Sequence, residues 1–333
     1  MAKNRTKNII SLLSGGIVLF VLCLLSLRFG SAHLSTREFF FALTDVKRET
    51  VGGVIIYNVR LARLLSALVA GAGLGMSGAI LQIVTGNRMA SPNLVGVNSG
   101  AGFAVILAIW LFPSLFAFVP LFAFCGAFLT TAFITALSRK VGVSKSNVIL
   151  IGLAVSAILS AGISLISLID TDVLVSYNAF SVGSLSGVKF EQLMIPAITV
   201  GFVLVLSCVF SQRLDILSLG DNTAHSLGLC VPRVRIFAML LASASASSAV
   251  SFAGLLGFAG LMSPHIARRF VPENAKILIP ASALIGSILV VLSDFLGRIM
   301  AAPSEIPAGI LMALSGSPFF LFLLLSKGGR KDA

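Results

Sequence analysis

Long apolar runs that are almost free of charged residues dominate this sequence and restrict what it can fold into. About 20 residues of α-helix cross the hydrocarbon core of a bilayer, so runs of this length are typical of membrane-spanning helices. Only 11% of the residues are charged, whereas soluble domains carry about 25%. The sequence therefore excludes a water-soluble globule and predicts an all-α integral membrane protein. The nine runs lie at about Ile9–Leu27, Leu61–Val84, Leu94–Phe112, Leu115–Leu137, Val148–Ile169, Leu193–Phe210, Ile236–Met262, Ile277–Leu296 and Ile306–Leu325.

The seventh run, Ile236–Met262, is longer than one helix needs and contains the glycine-rich stretch Phe252–Gly260. It is either one strongly tilted helix or one helix followed by a short returning helix. Both chain ends are basic, and cytoplasmic segments are enriched in Lys and Arg, so both ends are expected in the cytoplasm and the number of crossings should be even. We therefore split this run and predict about ten transmembrane helices. They form a single transmembrane domain, 1–333, with basic cytoplasmic tails at 1–8 and 326–333 and a cytoplasmic loop at 211–235.

The distribution of charge supports this topology. With ten spans, sixteen of the 24 Lys and Arg residues lie on the cytoplasmic side, and only four of the twelve acidic residues do. The formal net charge of +12 would indicate a nucleic-acid partner in a soluble protein, but here the charges sit in short segments between apolar runs. The basic excess therefore reports orientation in the membrane, and no nucleic-acid partner is expected.

Residues for catalysis or metal binding are not apparent in the sequence. The three histidines, His33, His225 and His265, have no second ligand at metal spacing, and the four cysteines occur singly. No G-x-x-x-x-G-K-[ST] phosphate loop is present. We therefore predict a chain that is not an enzyme, with no catalytic residue, no metal and no cofactor, and with an energy source outside this chain if it moves a solute.

Asp294 is the exception to the scarcity of ionisable residues within the spans. Such residues bind coupling ions or relay protons in ion-coupled transporters. Arg298 lies one helical turn later and could pair with Asp294 in a purely structural role. An ion-coupled secondary transporter that uses Asp294 is therefore the alternative to a transporter whose energy comes from outside this chain.

The stretch Gly73–Gly78 matches G-x-G-x-x-G but lies inside an apolar helix, without the preceding strand that a dinucleotide site needs. With Gly71 it also reads as G-x-x-x-G, a pattern that lets membrane helices approach closely. Helix packing is the interpretation that fits its context. The alternating Ser and Ala residues at 242–249 similarly indicate a tightly packed span or part of a polar pore lining.

Several motifs, in order, carry a resemblance to a known family over nearly the whole chain. The matching stretches are Arg60-Leu61-Ala62-Arg63, Ser77-Gly78 with Gln82, Asn87-Arg88-Met89-Ala90-Ser91-Pro92, Asn98-Ser99-Gly100-Ala101-Gly102, Gly183-Ser184-Leu185, Leu219-Gly220-Asp221, Gly257-Phe258-Ala259-Gly260-Leu261, Pro264-His265-Ile266-Ala267-Arg268, Glu305-Ile306-Pro307-Ala308-Gly309 and Gly316-Ser317-Pro318-Phe319. In these stretches the sequence resembles the permease subunits of binding-protein-dependent ABC importers for iron-siderophore complexes, haem and vitamin B12, the FecCD-type permeases of type II importers.

The resemblance implies a transport subunit of the inner or plasma membrane. Such permeases work as dimers with the substrate path at the subunit interface, and the partner here would be an identical or a paralogous chain. Further expected partners are ATP-binding cassette ATPase subunits, an extracytoplasmic substrate-binding protein and membrane lipid. The substrate would be an iron-siderophore complex, haem or cobalamin, moved by alternating access.

The resemblance also implies roles for residues at the two ends of the helices. Arg60, Arg63 and Arg298 would receive acidic residues of the binding protein, because arginine captures carboxylates in a bidentate manner. The alternative is that they anchor an interface or pair with Asp294 and Glu305. In the cytoplasmic loop, the expected ATPase contacts are Leu219, Gly220, Asp221, Ala224, His225 and Gly228. Leu217, Leu219, Leu227 and Leu229 would add apolar surface for a protein partner, the alternative being a helix lying on the lipid surface.

The cytoplasmic gates of the resembled family would correspond here to Asn87, Arg88 and Met89 and to Lys145, Ser146 and Asn147. The sequence departs from the family pattern at three points. It has Asn-Arg-Met where Asn-Pro-Leu is common, Arg-Leu-Ala-Arg in place of Arg-x-Pro-Arg, and Phe180 in place of a Trp before Gly-Ser-Leu. These departures affect the detail of the gates more than the expected fold.

Overall fold

The computed structural model describes residues 2–32, 34–45, 48–141 and 145–328, and all regular elements in those ranges are helical. A π-helical stretch, Ile55–Leu61, joins α3 to α4 without a break. The helices are α1 (Ala2–Arg28), α2 (Thr36–Thr44), α3 (Val51–Val54), α4 (Ala62–Thr85), α5 (Val97–Leu111), α6 (Val119–Val141), α7 (Lys145–Ile169), α8 (Thr171–Ser181), α9 (Phe190–Val209), α10 (Ser211–Ser218), α11 (Asp221–Ser226), α12 (Val231–Ala253), α13 (Ala259–Ala267), α14 (Ala275–Met300) and α15 (Ala308–Gly328).

Helices long and apolar enough to cross a membrane account for most of this structure. In the described part of the chain there are seven, and α5 and α15 are shorter apolar helices. The prediction of an all-α chain with several membrane-spanning helices is confirmed, while the count of ten spans and the cytoplasmic position of both termini stay predictions. The seven are 10–28, 51–85, 113–138, 148–169, 190–209, 231–253 and 275–300.

Two groups of connections define the two ends of the helical bundle. We call the end that contains 86–91, 210–230 and 268–274 the inner end, because the charge distribution assigns it to the cytoplasm. The opposite end, with 29–32, 170–189 and 301–307, is called the outer end. Ion pairs and hydrogen bonds join connections within each group, such as Arg88 to Glu273 at the inner end and Ser31 to Glu305 at the outer end.

The long seventh run of the sequence is broken after Ala253, where α12 ends. The N–H of Leu255 then donates to the carbonyl oxygen of Phe180, at the outer end (3.2 Å). The nine residues of α13 rise only about 14 Å. After α13, Arg268 donates to Gln82 near the inner end. The chain thus returns toward the end where α12 began, through a non-helical segment and a short helix.

The second span begins earlier than the sequence pattern indicated. We expected it to start near Arg60, but helical structure runs from Val51 through the π-helical stretch into α4. Thr50 caps this helix, because its side-chain oxygen accepts from the N–H of Gly53 (3.1 Å). Extending the helix at the outer end places Arg60 and Arg63 on one continuous rod, less than one turn apart.

Helix α4 lies at the centre of the bundle and approaches α14 and α13 at backbone distance. A side chain at Gly71 would overlap the backbone of Gly286, and one at Gly78 would overlap the carbonyl of Gly260. Ser245 of α12 donates to the carbonyl oxygen of Gly73 (2.9 Å), so the serine-rich span also packs on α4. The interpretation of this glycine pattern as a packing surface is confirmed.

Replacing Gly78 by Ala should destabilise the protein by about 1–3 kcal/mol, because the added methyl group meets backbone that cannot move aside. Gly201→Ala on α9 is the matched control, since no atom lies within 4 Å of the new methyl group. We expect the control to be neutral or slightly stabilising. Thermal unfolding of the purified proteins in detergent measures both, and equal midpoints would contradict the packing role of Gly78.

Candidate functional site

The three arginines of the predicted docking set lie together at the outer end, and all are buried. Arg60 comes from the π-helical stretch, Arg63 from the first turn of α4 and Arg298 from the last turn of α14. With Asp294 and Glu305 they form what we call the outer ion cluster. The sequence alone could not show that these residues meet, because α4 and α14 are more than 200 positions apart in the chain.

Asp294 joins two of these arginines. Its Oδ1 accepts from Nε of Arg63 (2.7 Å), and its Oδ2 lies 3.1 Å from Nε of Arg298, one turn along the same helix. Asp294 is 1% exposed. Burying a carboxylate is costly unless it is paired, and here both oxygens face guanidinium groups. The structural pairing of Asp294 with Arg298 is therefore present, and Arg63 completes it.

Arg60 and Arg298 both bind the end of α1. Nη1 of Arg60 donates to the carbonyl oxygens of Leu27 and Arg28 (both 2.8 Å), and its Nη2 donates to that of Ala32 (2.5 Å). Nη2 of Arg298 donates to the hydroxyl of Ser26 (2.5 Å). The last carbonyls of a helix lack intrahelical partners and carry partial negative charge, so these arginines cap α1 and hold it against α4 and α14.

Glu305, in the link between α14 and α15, is the more accessible acid of the cluster. Its Oε2 accepts from Nη1 of Arg63 (2.5 Å) and its Oε1 from the hydroxyl of Ser31 (2.8 Å). Partial burial opposes its ionisation, but the hydrogen bonds from Arg63 and Ser31 and the nearby positive charges outweigh this effect. Together they hold the pKa of the Glu305 carboxyl below its ordinary value of 4.5.

A cavity of about 610 Å³ opens beside Arg63 and Glu305 at the outer end. The loop that precedes α9 and the first turn of α9 also line it and contribute Lys189 and Glu191. Arg48, which donates to Oδ1 of Asn58 (2.6 Å), also lines it. Arg63 thus lines the cavity, although its side chain is only 5% exposed and its ion pairs are internal. The pairing with Asp294 and Glu305 that we considered is present, and docking by these arginines stays a prediction.

At the inner end, the loop that we predicted to contact an ATPase folds into α10 and α11, separated by Gly220. We call Ser211–Cys230 the coupling segment. Leu219 and Leu227 are 61% and 60% exposed, while Leu217 is only 1% exposed and belongs to the core. Our expectation that Leu217 adds to the exposed apolar surface was wrong, because α10 turns this residue toward α4 and α14. Ala224 is buried, whereas His225 and Gly228 are exposed.

Two acids fasten the coupling segment to the long helices. Asp221 pairs with the buried Arg235 of α12 (2.6 Å). Asp215 accepts from the backbone N–H of Ala275, the first residue of α14 (2.7 Å). Burial raises the pKa of the Asp215 carboxyl above its ordinary value of 3.8, and this N–H offsets part of the effect. We did not single out Asp215 from the sequence, where it is one of two acidic residues in the segment 211–235.

The first predicted gate lies close to the link between α13 and α14. The side chain of Asn87 accepts from the N–H of Met89 (2.8 Å), which closes a local turn. Arg88 pairs with Glu273 (2.6 Å), and Arg268 lies 3.7 Å from the same carboxylate. Sequence reasoning missed Glu273. The side chains of the second predicted gate, Lys145, Ser146 and Asn147, lie outside the described residues.

Metal-binding chemistry finds no support in the described ranges, where no group of His, Cys, Asp and Glu residues is arranged to hold an ion. Two of the histidines lie in different parts of the structure: His225 is on the coupling segment, and the ring of His265 packs edge-on against Phe319. The prominent chemical features of the described structure are thus a buried ion cluster at the outer end and an exposed apolar pair at the inner end.

Comparison with known proteins identifies the family. The FecCD transport family matches residues 18–326. The chain belongs to the FecCD transport family. The Fe(3+)-citrate import system permease protein YfmE of Bacillus subtilis is 36% identical over 97% of this chain and 96% of its own length. The hemin transport system permease protein HmuU of Yersinia pestis is 32% identical over 93% of this chain and 94% of its own.

A solved structure supports the same assignment at the level of the fold. It is described as a metal-chelate type ABC transporter in an inward-facing conformation, and it is 30% identical to this FecCD chain with a TM-score of 0.82. The match covers 95% of this chain and 98% of the other. The resemblance inferred from the motifs is therefore confirmed. The FecCD chain is a multi-pass membrane protein whose relatives are permease subunits of ABC importers for iron compounds and haem.

Replacing Asp294 by Asn should destabilise the FecCD chain by about 3–5 kcal/mol, because it removes one charge from a buried group of ion pairs. Asp172→Asn is the matched control, since Asp172 is exposed in the first turn of α8. Its loss should cost about 0.5 kcal/mol or less. Thermal unfolding in detergent distinguishes the two, and a neutral Asp294→Asn would show that the cluster adds nothing to stability.

The lowered pKa of Glu305 predicts a dependence of stability on acid. A carboxyl whose pKa falls on folding stabilises the native state fully above its unfolded value and loses this contribution as the pH falls through the folded value. The thermal midpoint of the wild type should thus exceed that of Glu305→Gln at pH 7, and the difference should shrink as the pH falls below about 4.5. A constant difference would contradict the ion pair with Arg63.

Proposed function

We propose that this chain is the transmembrane permease subunit of a binding-protein-dependent ABC importer in the inner or plasma membrane. It moves an iron-siderophore complex, or haem or cobalamin, into the cytoplasm by alternating access, and a separate ATPase subunit supplies the energy. The observation that carries the proposal is the exposed apolar pair Leu219 and Leu227 on the coupling segment, which is itself fastened to two long helices.

An apolar pair on a short segment outside the membrane core favours a protein partner over water. The segment turns at a glycine between its two helices. Gly220, between α10 and α11, has φ +104°, a backbone conformation that L-residues with side chains rarely adopt. Exposed leucines on either side of this turn suit a groove on an ATPase. A helix on the lipid surface explains the leucines but not the two acid contacts that tie the segment to α12 and α14.

Those contacts also give the coupling segment a route to the opposite end of the molecule. Asp215 holds the N-terminus of α14, and the 26 residues of α14 extend about 39 Å. Asp294 and Arg298 lie in its last two turns, within the outer ion cluster. If a nucleotide-hydrolysing partner moves the coupling segment, α14 would therefore carry that movement to the outer end. Alternating access requires such a link between the two ends.

The proposal includes a dimer with the substrate path between two subunits, formed by a second copy or a paralogous chain. Four of the described spans, in α1, α6, α7 and α9, have less than a third of their residues buried in the isolated chain. Their apolar faces suit lipid or a second subunit, and a path between subunits leaves no backbone group unpaired in hydrocarbon. Arg60, Arg63 and Arg298 remain the proposed docking positions for the binding protein, and 87–89 and 145–147 the proposed inner gates.

The choice among substrates rests on the relatives. YfmE is named for ferric citrate and HmuU for hemin, so an iron chelate is the substrate class that we favour. Because the binding protein supplies specificity, the ligand that it retains after purification identifies the substrate. Mass spectrometry of that protein, expressed with this permease's own system, should find an iron-bearing chelate.

Import into vesicles tests the proposed energy source. Proteoliposomes that contain the permease, its ATPase and the binding protein should accumulate substrate when ATP is present, and an inactive ATPase should abolish uptake. Ionophores that collapse ion gradients should leave uptake unchanged. The ion-coupled alternative requires the opposite, and it gains no support from Asp294, whose two oxygens both face arginines.

Substituting Asp for Leu219 and Leu227 together should abolish co-purification of the ATPase with the permease, because the charges would replace the apolar contact. Val51→Asp is the matched control: Val51 is 78% exposed at the outer end, in the first turn of α3, where an acidic residue is favourable. Its expected effect on ATPase binding is nil. Retention of the ATPase by the double variant would remove the coupling segment from the proposed interface.

A further inference from the structure

Arg63 has two carboxylate partners that differ greatly in access to water. The side chain of Asp294 is 1% exposed, whereas that of Glu305 is 26% exposed. Arg63 and Glu305 both line the outer cavity of about 610 Å³. Asp294 is thus a permanent partner enclosed between α4 and α14, while Glu305 lies where an incoming group could replace it.

The cluster contains more positive than negative charge. It contains three guanidinium groups, those of Arg60, Arg63 and Arg298, and two carboxylates, of which Asp294 pairs with Arg63 and Arg298 and Glu305 pairs with Arg63. Arg60 donates to three backbone carbonyl oxygens, and among the described residues it forms no ion pair with a carboxylate. One positive charge is therefore left without an opposite charge in the buried cluster, which favours the approach of one further anion.

The link that carries Glu305 is anchored by its backbone on the C-terminal side of this residue. The N–H of Ile306 donates to the carbonyl of Gly297, and the N–H of Gly309 donates to that of Gly183 (both 3.0 Å). In contrast, the side chain of Glu305 is held by two side-chain contacts, with Arg63 and Ser31. It can leave Arg63 by rotating toward the cavity while the backbone stays in place.

We propose that Glu305 is an internal substitute for a carboxylate of the binding protein, and that docking exchanges the two on Arg63. The occupant of the outer cavity is then an Asp or Glu side chain of the docked binding protein. Lys189 and Arg48 on the cavity wall add positive charge around its path, and Glu191 on the same wall opposes it. This inference rests on the proposed function, because it requires a binding protein that docks at the outer end.

Exchange solves a physical problem that direct docking does not. A buried arginine without a partner is expensive, and an arginine paired permanently with an internal acid has no reason to bind another. When one carboxylate replaces another, Arg63 stays neutralised throughout, and the displaced Glu305 gains water at the rim. The net gain on docking is then small, which permits release of the binding protein in each transport cycle.

The test compares the affinity of the complete permease–ATPase complex in nanodiscs for its binding protein, by biolayer interferometry. Glu305→Gln removes the competing charge but keeps the shape of the side chain. We expect it to bind the binding protein roughly three- to tenfold more tightly than the wild type. Glu273→Gln is the matched control, because it removes an acid paired with Arg88 at the inner end. It should leave docking unchanged.

A second variant keeps the proposal open to test if Glu305→Gln does not fold. Ser31→Ala removes the hydroxyl that holds Oε1 of Glu305 and leaves every charge of the cluster in place. It should tighten docking about twofold by freeing Glu305 from one contact. Unchanged or weaker docking in both variants, alongside measurable docking of the wild type, would overturn the exchange while leaving import intact. Absence of docking in the wild type would overturn the proposed function together with it.

Discussion

The contact between α4 and α14 is the constraint on which the rest of this structure depends. In the middle of the bundle the two helices meet at glycines, where the backbone of Gly286 fills the space beside Gly71. At the outer end they are joined by Asp294, which faces Arg63 and Arg298. Since the N-terminus of α14 also contacts the coupling segment through Asp215, this one pair of helices connects that segment with the outer ion cluster.

The outer ion cluster illustrates why charge inside a membrane protein is placed so sparingly. Each buried ion must lose its hydration, and attraction between partners returns this cost only when the geometry satisfies nearly every donor and acceptor. Here Arg60 and Arg298 use their donors to cap α1, and Arg63 divides its donors between Asp294 and Glu305. The cluster therefore fixes α1, α4 and α14 to each other, and its partly exposed member, Glu305, is the one able to move.

The motifs pointed to residues that lie in the outer ion cluster, but they did not show what those residues contact. The arginines at 60, 63 and 298 stood out from the sequence, but docking and pairing with acids remained open, because distance along the chain does not report proximity in space. Ser31, Asp215 and Glu273 escaped notice entirely, since single polar residues in short connections carry no periodic or spacing signal. Leu217 was assigned to an exposed surface because its burial depends on the packing of α10 against distant helices, which the sequence does not show.

The amino-acid sequence alone was enough to establish the class of this protein, a membrane-embedded, helical member of the FecCD family. Hydrophobic length and composition suffice for that, because lipid imposes one requirement on every spanning segment. In contrast, it took the folded structure to show which charges lie together and which leucines stay exposed. Those outcomes follow from contacts between helices distant in the chain, and such contacts depend on how backbones approach and on where each buried charge finds a partner.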